Sequence, residues 1–289
     1  IVRAAIQKIP VTFSTFNEQF STFYRETVRK KGRYVNLSEA VMEMYKSPYK
    51  DQYYNDHVRI IKGRKLISQR AKDTLAIKVM GGPSEALVLD LVKNRDYLLN
   101  DDEMNYYAFS MEEGVVINDR EQYVISFVPR YTLEKPLYYG KMYIDKERMA
   151  FTRIEMSLDT SNTEKATAFM LIHKPGSLRF RPRDLTTYIS YRFDGNYSRI
   201  NYIRNVFNFN CDWKRKMFAT NYIVVSEMVV TDHNIIAKIP SRKGAFRQND
   251  VLDTKVSDFN DPEFWENYNI LEPSESLESA VKKLKKRAE

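Results

Sequence analysis

Ser47-Pro48-Tyr49-Lys50 sets a serine and a lysine at the Ser-x-x-Lys spacing with which penicillin-binding enzymes pair a nucleophile and its base. That chemistry needs the two side chains one helical turn apart. Here Pro48 ends a strand-like run, and no Lys-Thr-Gly follows. His57, His173 and His233 are far apart in the chain and fit no metal-binding spacing such as His-Glu-x-x-His. Asp250, Asp253, Asp258 and Asp261 could offer oxygen ligands to a hard cation, but their spacing is not that of an EF-hand, and a solvated linker explains them as well. A single cysteine, Cys211, allows no internal disulfide and no cysteine-based zinc site. Glycine-rich nucleotide loops and the Gly-x-Ser-x-Gly elbow are both missing. The chain therefore reads as non-enzymatic, with no catalytic residue, metal or cofactor assigned.

Composition agrees with a packed β protein. Of 289 residues 43% are apolar and 13% aromatic, with twenty tyrosines, and only nine are glycine. The formal charge of +8 comes from 46 basic and 38 acidic residues that are mostly interleaved, which describes a solvated mixed surface and not a nucleic-acid groove. No apolar run approaches the length of a transmembrane helix. The chain opens at Ile1 with neither Met nor signal peptide, as expected of a piece of a longer precursor.

The elements follow from periodicity. At 139–156, Met142 and Ile144 share one face against Lys141, Tyr143 and Asp145; beyond a polar break, Ala150, Thr152, Ile154 and Met156 oppose Phe151, Arg153 and Glu155. This is a hairpin with one apolar face, which it cannot bury alone. Similar strands are expected at 20–30, 33–46, 58–62, 106–111, 123–128, 166–173, 186–193, 197–209 and 219–231, making a meander. The turn Asp194-Gly195-Asn196 is the clearest hairpin signal. A helix is expected over 1–9, stopped by Pro10. An internal helix is expected over 83–99, opened by Pro83 and carrying Leu87 and Leu91. A basic terminal helix is expected after Ser274, with an apolar stripe of Leu277, Ala280, Val281 and Leu284. It suits docking on the sheet or, alternatively, an anionic membrane.

Four stretches carry a family resemblance: 140–155 (Gly-Lys-Met-Tyr-Ile-Asp-Lys-Glu-Arg-Met-Ala-Phe-Thr-Arg-Ile-Glu), 23–28 (Phe-Tyr-Arg-Glu-Thr-Val), 34–41 and 264–273. Together the chain resembles the C-terminal region of Gram-negative envelope proteins that carry an N-terminal carboxypeptidase-regulatory-like domain. The order of elements and the Tyr-Ile-Asp hairpin also resemble the lipoprotein-carrier (Lol-type) fold, an incomplete barrel plugged by helices around an apolar cavity. The resemblance implies the periplasm or the outer-membrane surface and brings no catalytic residues.

The expected fold is mainly β: a curved antiparallel sheet or incomplete barrel of about ten strands, with helices covering the concave face. Residues 1–240 form the half-barrel, and 241–289 an irregular segment and terminal helix on the same domain. Met42, Met44, Met142, Ile144, Ile154 and Met156, with Leu87 and Leu91, are the candidate lining of a cavity for a lipid, lipoprotein or other apolar ligand. The alternative is a structural or protein-interaction module, filled inside, that meets an envelope partner or an upstream domain.

Overall fold

The computed structural model describes residues 1–51, 55–68, 77–79, 82–173, 175–213, 219–247 and 250–258. The expected terminal helix, Asp261 and the family-like stretch at 264–273 lie outside these residues. Ten long strands pair antiparallel: β1 (Glu18–Lys30), β2 (Arg33–Lys46), β3 (His57–Ile67), β5 (Tyr107–Ile117), β6 (Arg120–Pro129), β7 (Tyr138–Asp145), β8 (Ala150–Leu158), β10 (Leu178–Phe193), β11 (Ser198–Trp213) and β12 (Thr220–Ile235). A two-residue strand, β13 (Ser257–Asp258), adds parallel to β3, and the sheet runs β13-β3-β2-β1-β12-β11-β10-β8-β7-β6-β5 without closing. A separate pair, β4 (Lys78–Val79) and β9 (Leu171–His173), stands beside it.

The order is not the simple meander expected from local pairing. β1 to β3 grow outward from the centre, β5 to β12 return to it, and β12 pairs with β1. The hairpin turns are local. Lys31 and Gly32 take φ of 49° and 77°, and Asn118 and Asp119 take 49° and 59°, the left-handed pairs that match strand twist. At the third turn Gly195 has φ 102°, and Asp194 Oδ1 accepts from the amides of Asn196 (2.8 Å) and Tyr197 (2.9 Å).

Two bulges change which residues face inward. Val28 pairs with Asn36 and Arg29 with Tyr34, so Val35 is the extra residue and joins the core beside Ala40, Met42 and Met44. Tyr143 pairs with Arg153 and Ile144 with Phe151, so Thr152 is extra, and Phe151 is the buried residue in place of the expected Thr152. β3 also runs through Gly63, where the shorter strand was expected to stop. A Cβ there would come within 2.2 Å of Val256, so Gly63 admits a close neighbour instead of ending the strand.

Helices differ more. α1 (Val2–Thr12) continues past Pro10, because proline in the last turn removes only one donor. Val2, Ala5, Ile9 and Thr12 are its buried stripe. The expected helix over 83–99 is not one helix: α2 (Glu85–Val88), a 3-10 turn (Arg95–Tyr97) and α3 (Asp101–Met104) are joined by irregular chain. Polar side chains pull that chain apart, since Asp90 and Lys93 reach β2 while Asn94 folds back on the Val88 carbonyl (2.9 Å). Leu87, Leu91, Val92, Leu98 and Leu99 are nevertheless buried, so the segment plugs the inner face. The strand expected at 166–173 is mostly α4 (Thr163–Met170), whose N-cap Asn162 accepts from the Lys165 amide (3.0 Å).

The plug is tied down by charge. Lys46 Nζ, at the end of β2, lies 2.9 Å from Asp90 Oδ2 and 3.6 Å from Asp56 Oδ2, all three fully buried. Burial alone would lower this ammonium, but the two carboxylates outweigh it and hold Lys46 above its ordinary value. Tyr49 donates to Asp90 (2.9 Å) and accepts from the Ile200 amide (3.0 Å). α5 (Leu252–Lys255) and Val256 lie over β3, and Phe246, Leu252 and Val256 belong to the same core as the strands.

Side chains line up in rows across the paired strands. On the inner face Ala40, Tyr24, Met228, Ile203, Ile189, Ile154, Met142 and Ile125 are successive partners. On the outer face the row one residue along reads Lys141, Glu155, Tyr188, Arg204, Glu227, Arg25, Glu39, Arg64. Arg25 donates to Glu39 at 2.7 Å, and Arg64 Nη2 approaches its other oxygen at 2.5 Å.

Three substitutions test this packing. A Cβ on Gly140 would sit 2.0 Å from the Glu155 carbonyl oxygen and 2.8 Å from the Met156 Cα, so Gly140→Ala should destabilise by about 1–3 kcal/mol in urea unfolding. Asp90→Ala leaves a buried ammonium short of a partner and should cost about 3–5 kcal/mol. Asp101→Ala, which breaks only the exposed pair with Arg3, should leave the urea midpoint unchanged.

Candidate functional site

A second inner-face row lies beside the Met228–Ile203–Ile189 row, and it is polar where its neighbour is apolar. Ser38, Glu26, Ser226, Asn205 and Thr187 are successive partners across β2, β1, β12, β11 and β10. The row then turns apolar at Met156, Gly140 and Phe127. Strand period puts these polar residues inward, since Glu26 is in phase with Tyr24 and Val28, and Asn205 with Ile203 and Phe207.

Their hydrogen-bonding capacity is met in part by close neighbours, Ser38 donating to Asn36 Oδ1 at 3.1 Å. Thr187 donates to Asn205 Oδ1 (2.7 Å), and the Tyr24 hydroxyl donates to Glu26 Oε2 (3.2 Å). Glu26 itself sits deep in the molecule yet is only half-buried, so it keeps surface open to solvent. Its apolar surroundings push the carboxyl up to about 7; Tyr24 opposes this and Asp253 adds to it. Burial and then Glu26 raise the Tyr24 phenol well above its ordinary value. From the plug, Glu85 is buried and pushed up to about 7 by desolvation alone. Among the described residues neither carboxyl has a cationic partner.

The eight apolar candidates are all in this core, none more than 6% exposed. Met142 pairs directly with Ile154, and Met156 with Thr187 of the polar strip. Met42 and Met44 lie on β2, with four strands between it and β8, and Leu87 and Leu91 come from the plug. None of the eight lines the open clefts described at the sheet's margins, of which one of about 440 Å³ lies between α1 and β5. Sequence reasoning missed the polar strip, although the signal was there: an acid and an amide in phase with the apolar side of long alternating strands.

The other sequence candidates are structural. Ser47 pairs with Lys93 and not with Lys50. Lys93 Nζ donates to Ser47 Oγ (2.7 Å), to the Ser47 carbonyl (2.9 Å) and to the Pro48 carbonyl, while Ser47 Oγ donates to Asp56 (3.0 Å). Burial draws Lys93 down to about 8, but with three oxygen acceptors it is a clamp, and the hydroxyl proton is turned toward Asp56. His57 stacks on Tyr45 at the start of β3, His233 stacks on Phe20 in β12, and His173 is in β9. Among the described residues no group of three or more His, Cys, Asp or Glu could hold a metal ion, and no helix is long and apolar enough to cross a membrane. Asp253 accepts from Asn36, and Asp250 faces Lys255 at 3.2 Å.

No family model matches the chain, and no curated protein matches it. Solved structures show loose likeness. A putative outer membrane lipoprotein-sorting protein domain from Vibrio parahaemolyticus is 8% identical, with 84% of this chain and 95% of that one covered, at a TM-score of 0.35. A LolA superfamily protein from Nitrosomonas europaea is 12% identical over 80% and 94%, at 0.27. The MucA/MucB complex of Pseudomonas aeruginosa is matched at 12% identity over 82% and 99%, at 0.24. At such scores these likenesses carry no conclusion about the fold, activity or location of this chain.

The site has a measurable signature in stability. Glu26 is raised from about 4.5 to about 7 by folding, so its contribution is complete below pH 4.5 and lost as pH rises toward 7. Wild type should therefore lose about 1–3 kcal/mol relative to Glu26→Gln over that interval, read from urea midpoints against pH. Parallel curves would show that Glu26 is not held in apolar surroundings.

Proposed function

We propose that this is a non-enzymatic domain that binds an amphipathic apolar ligand, a lipid or the acylated part of a lipoprotein, on the inner face of its sheet. The observation that carries the reading is the half-buried Glu26 strip set into an apolar, methionine-rich wall: a few placed polar groups in apolar lining is the usual chemistry of a ligand site. Unbranched methionines at 42, 44, 142 and 156 can repack around chains of varied shape. The family resemblance supports reading such a domain as periplasmic or outer-membrane-associated in a Gram-negative cell.

A second reading, a protein-interaction module, has its own support. β5 ends the sheet, and the β5–β6 hairpin shows Met111, Val115, Val116 and Val128 to solvent. An environment-sensitive lipid probe separates the two. It should bind at micromolar protein, and Met142→Trp, which fills the wall beside Ile154, should weaken it several-fold. With no probe bound, the ligand reading fails and the interaction module stands.

A further inference from the structure

The charges around the polar strip say more about the ligand than its apolar walls do. A carboxylate buried without a counter-ion is costly, and most such groups are paired. Among the described residues Glu26 has only a phenol, Tyr24, on it. The charged groups facing it from neighbouring elements are Asp253 on α5 and Lys65 on β3, two strands along the same row. Lys65 is engaged elsewhere, since its ammonium donates to the Asp253 carbonyl at 2.7 Å. Glu85, on the plug, adds a second carboxyl without a partner. Among the described residues two carboxyls, Glu26 and Asp253, thus face one ammonium, Lys65, and acids outnumber bases along the strip by one.

Resting on the ligand-binding reading above, the geometry points to a head-group site selective for a protonated amine carried on an apolar chain, one that turns away a free carboxylate or phosphate. An ammonium offers three donors and a charge, and Glu26 is the acceptor that lacks a cation. Beside it the strip offers the Asn205 amide and the Ser38 and Ser226 hydroxyls to a head group, while Met228, Ile203 and Ile189 run along the neighbouring row for the chain. An anionic head would instead meet like charge in a setting where water screens it poorly.

Three probes with one chain length test this: hexadecylamine, hexadecanol and palmitate, each displacing the fluorescent lipid from the intact protein. Above pH 7 the amine should bind about tenfold tighter than the alcohol, the scale of one charge-assisted hydrogen bond, and palmitate should bind weakest. Below pH 7 Glu26 takes up its proton, so the amine's advantage should shrink while the amine itself stays charged. Glu26→Gln should bring the ratio of amine to alcohol affinity close to one at either pH. Palmitate binding as well as the amine, or an amine preference that is the same on both sides of pH 7, overturns the head-group assignment and leaves the ligand reading standing. If none of the three displaces the probe, and the probe itself does not bind, the ligand reading falls and the assignment falls with it.

Discussion

A buried ammonium, Lys46, is the constraint on which the rest of the inner face depends. It ends β2, and its two carboxylate neighbours come from the approach to β3 and from the plug. In water these groups would have little reason to meet. Out of water each is tolerable only in company, so the plug must arrive at one place for the charges to balance. Tyr49 and Tyr191 extend the junction to β11 and to the Val92 amide, and Phe13 packs its ring against both tyrosines, bringing in the end of α1. The antiparallel sheet supplies apolar area but nothing to fix what covers it. The cover is irregular, and its position is set by polar contacts at one end.

That division explains what could be read from the chain alone. Period-two strand cores were legible, as was the turn marked by Asp-Gly-Asn, because both signals are local, although β10, expected only over 186–193, begins at Leu178. The helix over 83–99 was misread because an apolar stretch fits a helix as well as an irregular plug, and only the partners of Asp90 and Lys93 distinguish them. The side chains at Val35 and Thr152 shift with single extra residues that pattern alone does not mark. The pairing of β1 with β12 was out of reach, since it joins segments from opposite ends of the described chain. The eight apolar candidates lie buried in the core, and the polar strip was overlooked through attention to catalytic motifs.

The same logic separates apparent chemistry from the site that remains. Ser47, Lys93 and Asp56 look like the members of a nucleophilic machine, yet every donor among them is spent on holding backbone and side chain together. Glu26 has the reverse character. It lies in phase with tyrosine and valine, it is open to solvent, and its neighbours leave its charge unanswered. Saturated polar groups build a protein, whereas Glu26, set unsaturated in an apolar wall, is the group on which the proposed ligand reading rests.

The outer row of alternating charge has a further consequence for how the sheet finds its pairing. A slip of one residue exchanges inner and outer faces, and the apolar pattern forbids it. A slip of two keeps every side chain on its proper face, so that pattern is blind to it. Such a slip would set Arg25 against Leu37 or Val41 in place of Glu39, and Arg204 against Val225 or Val229 in place of Glu227. The charges thus act as a key cut across seven of these eight strands, rejecting the even-numbered errors that hydrophobicity would accept.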